Sequence, residues 1–352
     1  MLAAALFLLV PGVDAQLPAP AISAGSPLVV GGYASVTFVH PEKRSPGSDR
    51  DAIQVDELVA ALMGWGDLTS RLSYFLELDM AKRTQETWTG REAKESLIPV
   101  RLYMEYAASD LLRIRAGRFL TPVGQWNEIH AEPLTWTPMR PLATYRPFAK
   151  SLTGLLVGGE GSIHGHDAGY AVFWAPGTDL DRDLESAEES SFARALGGRV
   201  AAELRPGLFV GVSGARMRRV RPAYPLEDSL AVGELGELEE DPRDRTLLGA
   251  DLRWAASRVE VLAEGTWLLP RGDEPREGGA YVLGAVRVTG RLWAVAKGEV
   301  YSPVDLRRAH MLYGGVTWRG GRHLVVKLGR QFTNRSSRRI PDGWFLSFSS
   351  LF

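Results

Sequence analysis

The sequence predicts an all-β fold, a transmembrane antiparallel up-and-down β-barrel of sixteen strands with short periplasmic turns and long external loops. Three observations lead to this prediction. Segments of about 10–13 residues alternate apolar and polar side chains with a period of two, which is typical of strands. Tight turns and longer polar connections alternate along the chain, as they do in a membrane barrel. Tryptophans gather near the segment ends, where a membrane meets water.

The composition excludes several other classes of protein. The 352 residues carry 41 basic and 42 acidic side chains, and the net charge of −1 does not suggest a nucleic-acid binder. The absence of cysteine excludes disulfide frameworks, thiolate catalysis and cysteine zinc sites. No run of 18 or more consecutive apolar residues occurs, so the mature chain offers no transmembrane helix. We expect no cofactor, no metal and no catalytic residue.

The N-terminus has the pattern of an exported protein. Residues 2–10, LAAALFLLV, form an apolar run too short to span a bilayer, and small residues up to Ala15 provide a cleavage site. We therefore expect a signal peptide at residues 1–15, cleaved near Ala15, and a Pro-rich linker at residues 16–27. Residues 28–352 would then form a single barrel domain. A buried N-terminal strand or helix is the alternative interpretation of the apolar run.

The alternating segments that follow give the strand assignment. We expect strands at residues 28–39, 53–65, 69–81, 97–107, 110–120, 152–163, 167–175, 194–204, 207–218, 245–255, 258–269, 279–289, 291–301, 309–319, 322–332 and 342–352. An even number of strands is what an up-and-down barrel in a bacterial outer membrane requires.

The connections between these segments alternate in length. The tight turns are centred on Gly66-Asp67, Ser109-Asp110, Gly165-His166, Pro206-Gly207, Ser257, Thr289-Gly290 and Gly320-Gly321. The long connections are residues 40–52, 82–96, 121–151, 176–193, 219–244, 270–278, 302–308 and 333–341. A soluble sandwich mixes both lengths at each end, whereas a membrane barrel places tight turns on one rim and loops on the other.

The two faces of the strands differ in polarity. In residues 97–107, Leu102 and Met104 share one face, while Arg101 and Glu105 share the other. A soluble sandwich buries its apolar face and a membrane barrel exposes it to lipid, so alternation alone does not separate the two. Arg216 and Arg330 fall on faces expected to meet lipid, and residues 53–65 lack a clear polar face.

Aromatic residues separate the two folds. With odd strands running outward, three tryptophans fall at the long-loop rim, Trp174, Trp267 and Trp344, and three at the short-turn rim, Trp65, Trp254 and Trp318. Such belts are expected at a membrane interface, because the indole ring is apolar while its N–H needs a polar partner. The chain ends on Phe352, with Leu346 and Phe348 at even spacing, which resembles the C-terminal signal that outer-membrane barrels present to the barrel-assembly machinery.

Residues 113–161 carry a family resemblance. The segment contains Ala116-Gly117-Arg118-Phe119 at a strand end, Pro122 and Gly124 at the start of a loop, Pro141 within it, and Thr153-Gly154 with Gly158 on the returning strand. About 50 residues carry the match. It resembles the phosphate-selective porin O/P family of bacterial outer-membrane porins. The resemblance implies a sixteen-stranded barrel, commonly a homotrimer, in the outer membrane of a Gram-negative cell, with lipopolysaccharide around it. The dense basic ladder of the anion-selective members is missing, so phosphate selectivity is not carried over.

Residues 121–151 are the longest connection, and by the same resemblance this third loop folds inward to narrow the lumen. The candidate pore-lining and constriction residues are Arg101, Arg113, Arg115, Glu128, Glu132, Arg140, Arg146 and Lys150. Acidic and basic groups on opposite sides of a constriction filter solutes by charge. Alternatively, these charges pair with one another and only fix the loop. Further residues are expected to face the lumen: Glu77, Asp79, Arg199, Glu203, Asp251, Arg253, Glu260, Glu264, Arg287, Lys297 and Glu299. Because their signs are mixed, we expect no strong ion selectivity.

The leading functional hypothesis is a porin, a non-enzymatic outer-membrane channel for passive diffusion of small hydrophilic solutes and ions. The main alternative is a barrel that acts as a scaffold or adhesin subunit of a cell-envelope complex, without an open channel. An outer-membrane enzyme would need a nucleophile with a histidine partner, and no such set can be argued from the sequence. A soluble secreted β-protein is the remaining alternative.

Overall fold

The computed structural model describes residues 28–41, 54–87, 90–144, 146–163, 165–176, 191–222, 238–240, 244–269, 276–302, 308–321, 323–334 and 341–352. The expected signal peptide and linker lie outside these residues. The strands are β1 (Val29–Pro41), β2 (Gln54–Asp67), β3 (Leu72–Thr87), β4 (Gly90–Ser109), β5 (Leu112–Leu120), β6 (Ser151–Ile163), β7 (His166–Ala175), β8 (Ser191–Arg205), β9 (Leu208–Pro222), β10 (Leu238–Glu240), β11 (Arg245–Ala255), β12 (Val259–Leu269), β13 (Glu277–Thr289), β14 (Leu292–Ser302), β15 (Ala309–Arg319), β16 (Leu324–Thr333) and β17 (Gly343–Leu351). The helical turns among the described residues are too short to cross a bilayer as helices.

The strands form one closed antiparallel sheet. Each wall strand pairs with the next wall strand along the chain, with β9 paired to β11, and β1 also pairs with β17, from Tyr33 opposite Leu351 to Pro41 opposite Gly343. In the described part of the chain, β10 is a three-residue strand paired only with β9, so sixteen strands make up the barrel wall. The prediction of a sixteen-stranded up-and-down barrel is confirmed. Closure removes the open edges that would otherwise leave backbone groups unpaired in lipid.

The side chains alternate between the outer surface and the lumen, as predicted for a membrane barrel. On β4, Leu102 and Met104 are exposed on the outer surface, while Arg101 is buried on the inner side. On β14, Lys297 and Glu299 are buried inside the barrel, and Val300 is exposed. Apolar side chains therefore face outward and charged ones inward, which is the inverse of a soluble sandwich.

The outer wall carries four of the six tryptophans expected in the two belts as exposed side chains. Trp174, Trp267 and Trp344 are exposed at the loop end of β7, β12 and β17, and Trp318 is exposed at the turn end of β15. Trp65 does not belong to the outer belt, because it has an inward position on β2, where it packs against the buried apolar cluster and stacks on Phe75 at 6.1 Å. Arg330, which has an outward position, lies 4.4 Å from the ring of Phe332 and 5.7 Å from that of Trp344. The aromatic rings thus accommodate a cation at the membrane interface.

Two long connections differ from the sequence-based expectation. Most of residues 82–96 are not loop, because β3 and β4 extend as a hairpin to Thr87 and Gly90. Strand β9 likewise continues to Pro222 and pairs there with β10. Beyond the apolar band of the membrane both faces of a strand meet water, so the period-two pattern disappears although the hydrogen-bonded ladder continues.

Residues 121–150 connect β5 and β6, and we call them the inner loop. They contain one helical turn, α1 (Trp126–Ile129), and two 3₁₀ turns, Glu132–Leu134 and Leu142–Thr144. Most of the loop is buried, and the first 3₁₀ turn lies against β1 and β17. The predicted boundary at residue 151 shifts by one, since Ser151 begins β6.

The inner loop also explains the missing polar face of β2. The inward residues Val59, Ala61 and Met63 belong to one apolar cluster with Val123 and Phe148 of the loop. Burial against this loop, rather than contact with water, therefore accounts for their apolar character.

Candidate functional site: the inner loop and the lumen wall

The inner loop has its own framework of hydrogen bonds. At its base, the Thr121 backbone N–H donates to Lys150 O at 2.9 Å, and the Asn127 amide donates to the carbonyls of Thr121 and Lys150, both at 2.8 Å. Arg140 donates to Asn127 Oδ1 at 2.7 Å and to Thr144 O at 2.6 Å. These bonds tie the two ends of the loop together and satisfy backbone groups that a buried loop would otherwise leave unpaired.

On one side of the lumen, the loop is joined to acidic groups of β3 by an ion pair and a hydrogen bond, and Arg101 of β4 pairs with one of these groups. Glu77 forms a buried pair with Arg101, and its second oxygen lies 3.0 Å from His130 Nε2. Lys150 Nζ is 3.3 Å from Asp79 Oδ2. The strands supply the acidic groups and the loop supplies a histidine and a lysine. These contacts therefore depend on side chains at both ends.

The acidic groups and the histidine of this cluster also have the geometry of a metal site. Ligand atoms of Glu77, Asp79 and His130 all lie within 4.8 Å of one another. However, Arg101 and Lys150 already neutralise the two carboxylates. Burial also lowers the pKa of His130 to about 4, against the attraction of Glu77, so the imidazole is neutral at pH 7. The cluster is thus a charge-balanced network that joins loop to wall.

The start of α1 is held by a carboxylate on β12. Glu264 Oε2 accepts the backbone N–H groups of Gln125 and Trp126 at 3.2 and 3.1 Å. Gly124 precedes them with φ +67°, and a Cβ at this position would lie 1.8 Å from Glu264 Oε1. Glycine is therefore required here twice, by the left-handed backbone and by the close approach of the carboxylate.

A second carboxylate cluster adjoins this contact. Arg199 on β8 pairs with Asp251 on β11 at 2.6 Å and lies 3.7 Å from Glu128 of the loop. The predicted residue Glu128 is buried within this group. Arg199 therefore joins two wall strands and the loop through one guanidinium, whose several donors suit such bridging.

The opposite side of the loop is held mainly through its backbone. Thr317 on β15 donates to Trp136 O at 2.9 Å, and Glu299 on β14 accepts the Leu142 N–H. Lys327 on β16 donates to Glu132 O at 2.6 Å. Here the wall side chains bond main-chain groups of the loop. These groups are present whatever the loop side chains are, except that a proline would lack the N–H.

Lys327 makes the densest set of these contacts. Besides the Glu132 carbonyl, its Nζ contacts Thr135 Oγ1 at 2.7 Å and the Glu132 carboxylate at 3.3 Å. The Lys327 side chain is fully buried, at 0% exposed. A buried ammonium needs such partners, because leaving water without them is costly.

Aromatic rings complete the contact with β13–β15. Trp136 of the loop packs on Trp293 at a centroid distance of 4.8 Å, and its Nε1 donates to Glu260 Oε2 at 3.0 Å. Trp126 meets Tyr281 edge to face at 5.7 Å. Together with the hydrogen bonds, these rings fix the loop across the lumen instead of leaving it along one wall.

The structure places the sequence-predicted residues in two groups. Arg101 and Arg115 are buried on the inner wall, where their guanidinium groups lie 4.2 Å from the rings of Phe75 and Tyr103. Arg115 also pairs with Glu105 at 2.6 Å. Arg113 follows the same face toward the short turns and is half-buried.

The other predicted residues lie on the inner loop. Glu128, Glu132 and Lys150 contact the wall, as described above, whereas Arg140 bonds within the loop. Arg146 is half-buried and has interactions of its own. The candidate residues thus lie around the same lumen, and most of them form ion pairs or hydrogen bonds with other residues.

Lys327, Thr317 and Arg319 on the wall contact the inner loop but are not among the residues predicted from the sequence. Arg319 lies 4.2 Å from the Trp136 ring and donates to Pro133 O at 3.3 Å. Alternation on β16 carries a signal for Lys327, since the flanking Val326 and Leu328 share the opposite face. Thr317 carries no comparable signal, because a hydroxyl is common on either face of a strand.

Comparison with models of known protein families and with curated protein sequences gives no match. Solved structures match over nearly the whole chain. OmpF of Salmonella typhi, in complex with daunomycin, has a TM-score of 0.59 at 14% identity and covers 92% of this chain and 97% of its own. OmpT of Vibrio cholerae in its trimer form has a TM-score of 0.57 at 10% identity, with coverages of 94% and 99%. The anion-selective porin from Comamonas acidovorans has a TM-score of 0.56 at 15% identity, with coverages of 92% and 98%. The chain therefore has the β-barrel fold of these bacterial outer-membrane proteins.

Proposed function

We propose that the chain is a diffusion channel of the bacterial outer membrane for small hydrophilic solutes and ions, in which the inner loop forms the narrowest part. The observation that carries the proposal is the position of this loop. It contacts β3, β8, β12, β14, β15 and β16 around the lumen. A barrel of this size would otherwise enclose a wide aqueous hole.

The charges of the lumen support weak selectivity. Acidic and basic side chains alternate around the wall, as in the pairs Glu77–Arg101, Arg199–Asp251 and Lys297–Glu299. A solute passing such a wall meets a local dipole rather than a field of one sign. The resemblance to the phosphate-selective porin O/P family supports channel function, but these mixed signs give no reason to propose phosphate as the solute.

The proposal also covers export, assembly, activity and oligomeric state, for which we propose what is expected of a porin in the bacterial outer membrane. We propose export through the signal peptide at residues 1–15 with cleavage near Ala15, assembly through the terminal Phe352, no enzymatic activity, and a homotrimer surrounded by lipopolysaccharide. The trimer form of the structurally similar Vibrio cholerae protein supports the oligomeric state.

The first test is single-channel conductance of the refolded mature chain in planar bilayers. We expect stable current steps, and a reversal potential close to zero under a salt gradient because the lumen charges balance. A folded and inserted protein that carries no current would overturn the proposal and favour a scaffold or adhesin without an open channel.

A second test examines whether the inner loop forms the narrowest part of the channel. Because the chain has no cysteine, Met139→Cys introduces a single thiol at a half-buried loop position. A charged thiosulfonate reagent is expected to lower the current of this variant in steps. Val282→Cys is the matched control, since its side chain is 58% exposed on the lipid face. An equal response of the two variants would refute the assignment.

A further inference from the structure

An unbalanced group of arginines lies on the outer surface of the barrel at the loop rim. Arg194 on β8 and Arg216 and Arg218 on β9 occupy outward positions, and all three side chains approach Asp244, which precedes β11. We call these four residues the rim arginine cluster. It lies outside the lumen and takes no part in holding the inner loop.

The register of the strands places this cluster at the membrane interface. Arg216 is directly opposite Leu196, which in turn is opposite Trp174 of the loop-end aromatic belt. Leu196 and Val212 are exposed on the same outer face, at 56% and 62%. The arginines thus begin where the apolar surface ends, which is the depth of lipid headgroups.

The charges of the cluster do not balance. Arg194 lies 2.9 Å from Asp244 Oδ1, Arg216 lies 3.1 Å from Oδ2, and Arg218 Nε lies 3.6 Å from Oδ1. Among the side chains that the structure describes, one carboxylate therefore faces three guanidinium groups. The hydrogen bond from Arg194 and the charges of all three arginines lower the pKa of Asp244, so the carboxylate stays ionised and the cluster keeps an excess of two positive charges.

Two of the arginines are also placed directly against each other. Arg194 and Arg218 are register partners across β8 and β9, and like charges at such positions repel. Arg194 and Arg216 are 53% and 62% exposed, and Arg218 is 29% exposed. Because the Arg194 and Arg216 side chains are mostly exposed, their guanidinium groups are accessible to an external anion.

We propose that the rim arginine cluster binds the phosphate groups of a phosphorylated glycolipid of the lipid A type in the outer leaflet. Guanidinium groups bind phosphate oxygens in bidentate pairs, and a phosphate with two negative charges restores the balance that Asp244 leaves incomplete. The acyl chains of the same molecule cover Leu196 and Val212. Arg330 differs, because it is a single arginine packed on Phe332 and Trp344.

The test measures binding of bisphosphorylated lipid A to the full folded protein in detergent, by native mass spectrometry. The triple variant R194Q/R216Q/R218Q is expected to weaken binding at least tenfold, since each interfacial arginine contributes roughly fivefold. R330Q is the matched control and should bind as the unaltered protein does. The single variant R216Q leaves Arg194 on Asp244 and is expected to lose about fivefold even where the triple variant folds poorly.

Three further ligands test whether the cluster recognises phosphorylated lipid A specifically. Dephosphorylated lipid A, phosphatidylglycerol and inorganic phosphate are each expected to bind at least tenfold more weakly than bisphosphorylated lipid A. Equal binding of any of them, or an R216Q variant with unchanged affinity, would overturn the proposal. Because R216Q lies outside the lumen, its conductance should stay unchanged, so this outcome is independent of the channel proposal.

Discussion

The inner loop is attached to opposite sides of the barrel by two different kinds of contact. On the β3–β4 side, loop side chains meet wall side chains, as His130 meets Glu77 and Lys150 meets Asp79. On the β12–β16 side, wall side chains bond the loop backbone, as Lys327 bonds Glu132 O.

This difference separates two kinds of sequence constraint. A side-chain pair is lost when either partner changes, so the β3–β4 side constrains loop and wall together. A backbone contact survives most changes in the loop, so the β12–β16 side constrains mainly the wall. Substitutions on the two sides should therefore differ in size, and the predictions below test this from the largest expected effect to the smallest.

The largest loss is expected for Lys327→Met. The change removes the ammonium that contacts the Glu132 carboxylate and Thr135 Oγ1, and these oxygens lose this donor. We expect the free energy of unfolding, measured by urea titration in bilayers, to fall by about 3 to 5 kcal/mol. Leu328→Met on the lipid face is the control, with a change below about 1.5 kcal/mol. Equal effects would mean that the β16 contact does not hold the loop.

Gly124→Ala tests the close approach of Glu264 to the loop. A methyl group meets the carboxylate and adopts a left-handed backbone, so we expect a loss of about 2 to 3 kcal/mol and a less stable current. Gly165→Ala is a matched control. Its φ is +83°, but a Cβ there meets nothing within 4 Å, so only the backbone cost of about 1 to 2 kcal/mol remains. A control loss as large as that of Gly124→Ala would exclude a specific role for the Glu264 contact.

Glu77→Gln tests the side-chain contacts on the β3–β4 side. The variant keeps the shape of the side chain but removes the charge that pairs with Arg101 and accepts from His130. We expect a loss of about 2 kcal/mol in the same urea titration. A second substitution, His130→Asn, should then cost less than in the unaltered protein, because both residues belong to one network. Strict additivity would show that the network does not exist.

The same side should respond to pH. Burial holds the pKa of His130 at about 4, whereas an unfolded histidine has a pKa of about 6.5. The unfolded chain therefore binds the proton first, and stability falls as pH decreases from 6.5 toward 4. Between pH 7 and pH 5 we expect this group to remove about 2 kcal/mol. The measurement is urea titration at both values, and His130→Asn should show a smaller pH dependence. An identical dependence in that variant would assign the effect to other groups.

The smallest effect is expected for Thr317→Val on the β15 strand. The change removes one neutral hydrogen bond to Trp136 O and keeps the volume of the side chain nearly constant. We expect a loss of about 1 kcal/mol, measured as above. A loss as large as that of Lys327→Met would show that the β12–β16 contacts act as one unit rather than as separate bonds.

The sequence predicts the wall of this molecule much better than its interior. Each of the sixteen expected strands has a counterpart, because lipid outside and polar groups inside impose a period of two on the sequence. The extended part of the β3–β4 hairpin was missed because the sequence of residues 82–96 has no period of two. Arg216 was an anomaly on the lipid face, and its position opposite Leu196 at the loop rim accounts for it.

The contacts of the inner loop could not be predicted in the same way. The family resemblance suggested an inward loop, yet nothing in residues 121–151 indicates that Glu132 lies beside Lys327. The two are 195 positions apart and meet only because the barrel closes. Glu264 was expected to face the lumen from its place in the alternation, but its role in accepting the Gln125 and Trp126 amides depends on three-dimensional proximity.

Closure of the barrel between β1 and β17 has a consequence for the order of assembly. Residue pairs such as Tyr33 and Leu351 join opposite ends of the chain, and contacts of such long sequence separation form slowly. Thr317 and Lys327, which hold the inner loop, belong to the last strands in the chain. We therefore expect the seam between β1 and β17 to close late. Because β17 also pairs with β16, which carries Lys327, closing the seam and fixing the inner loop are linked.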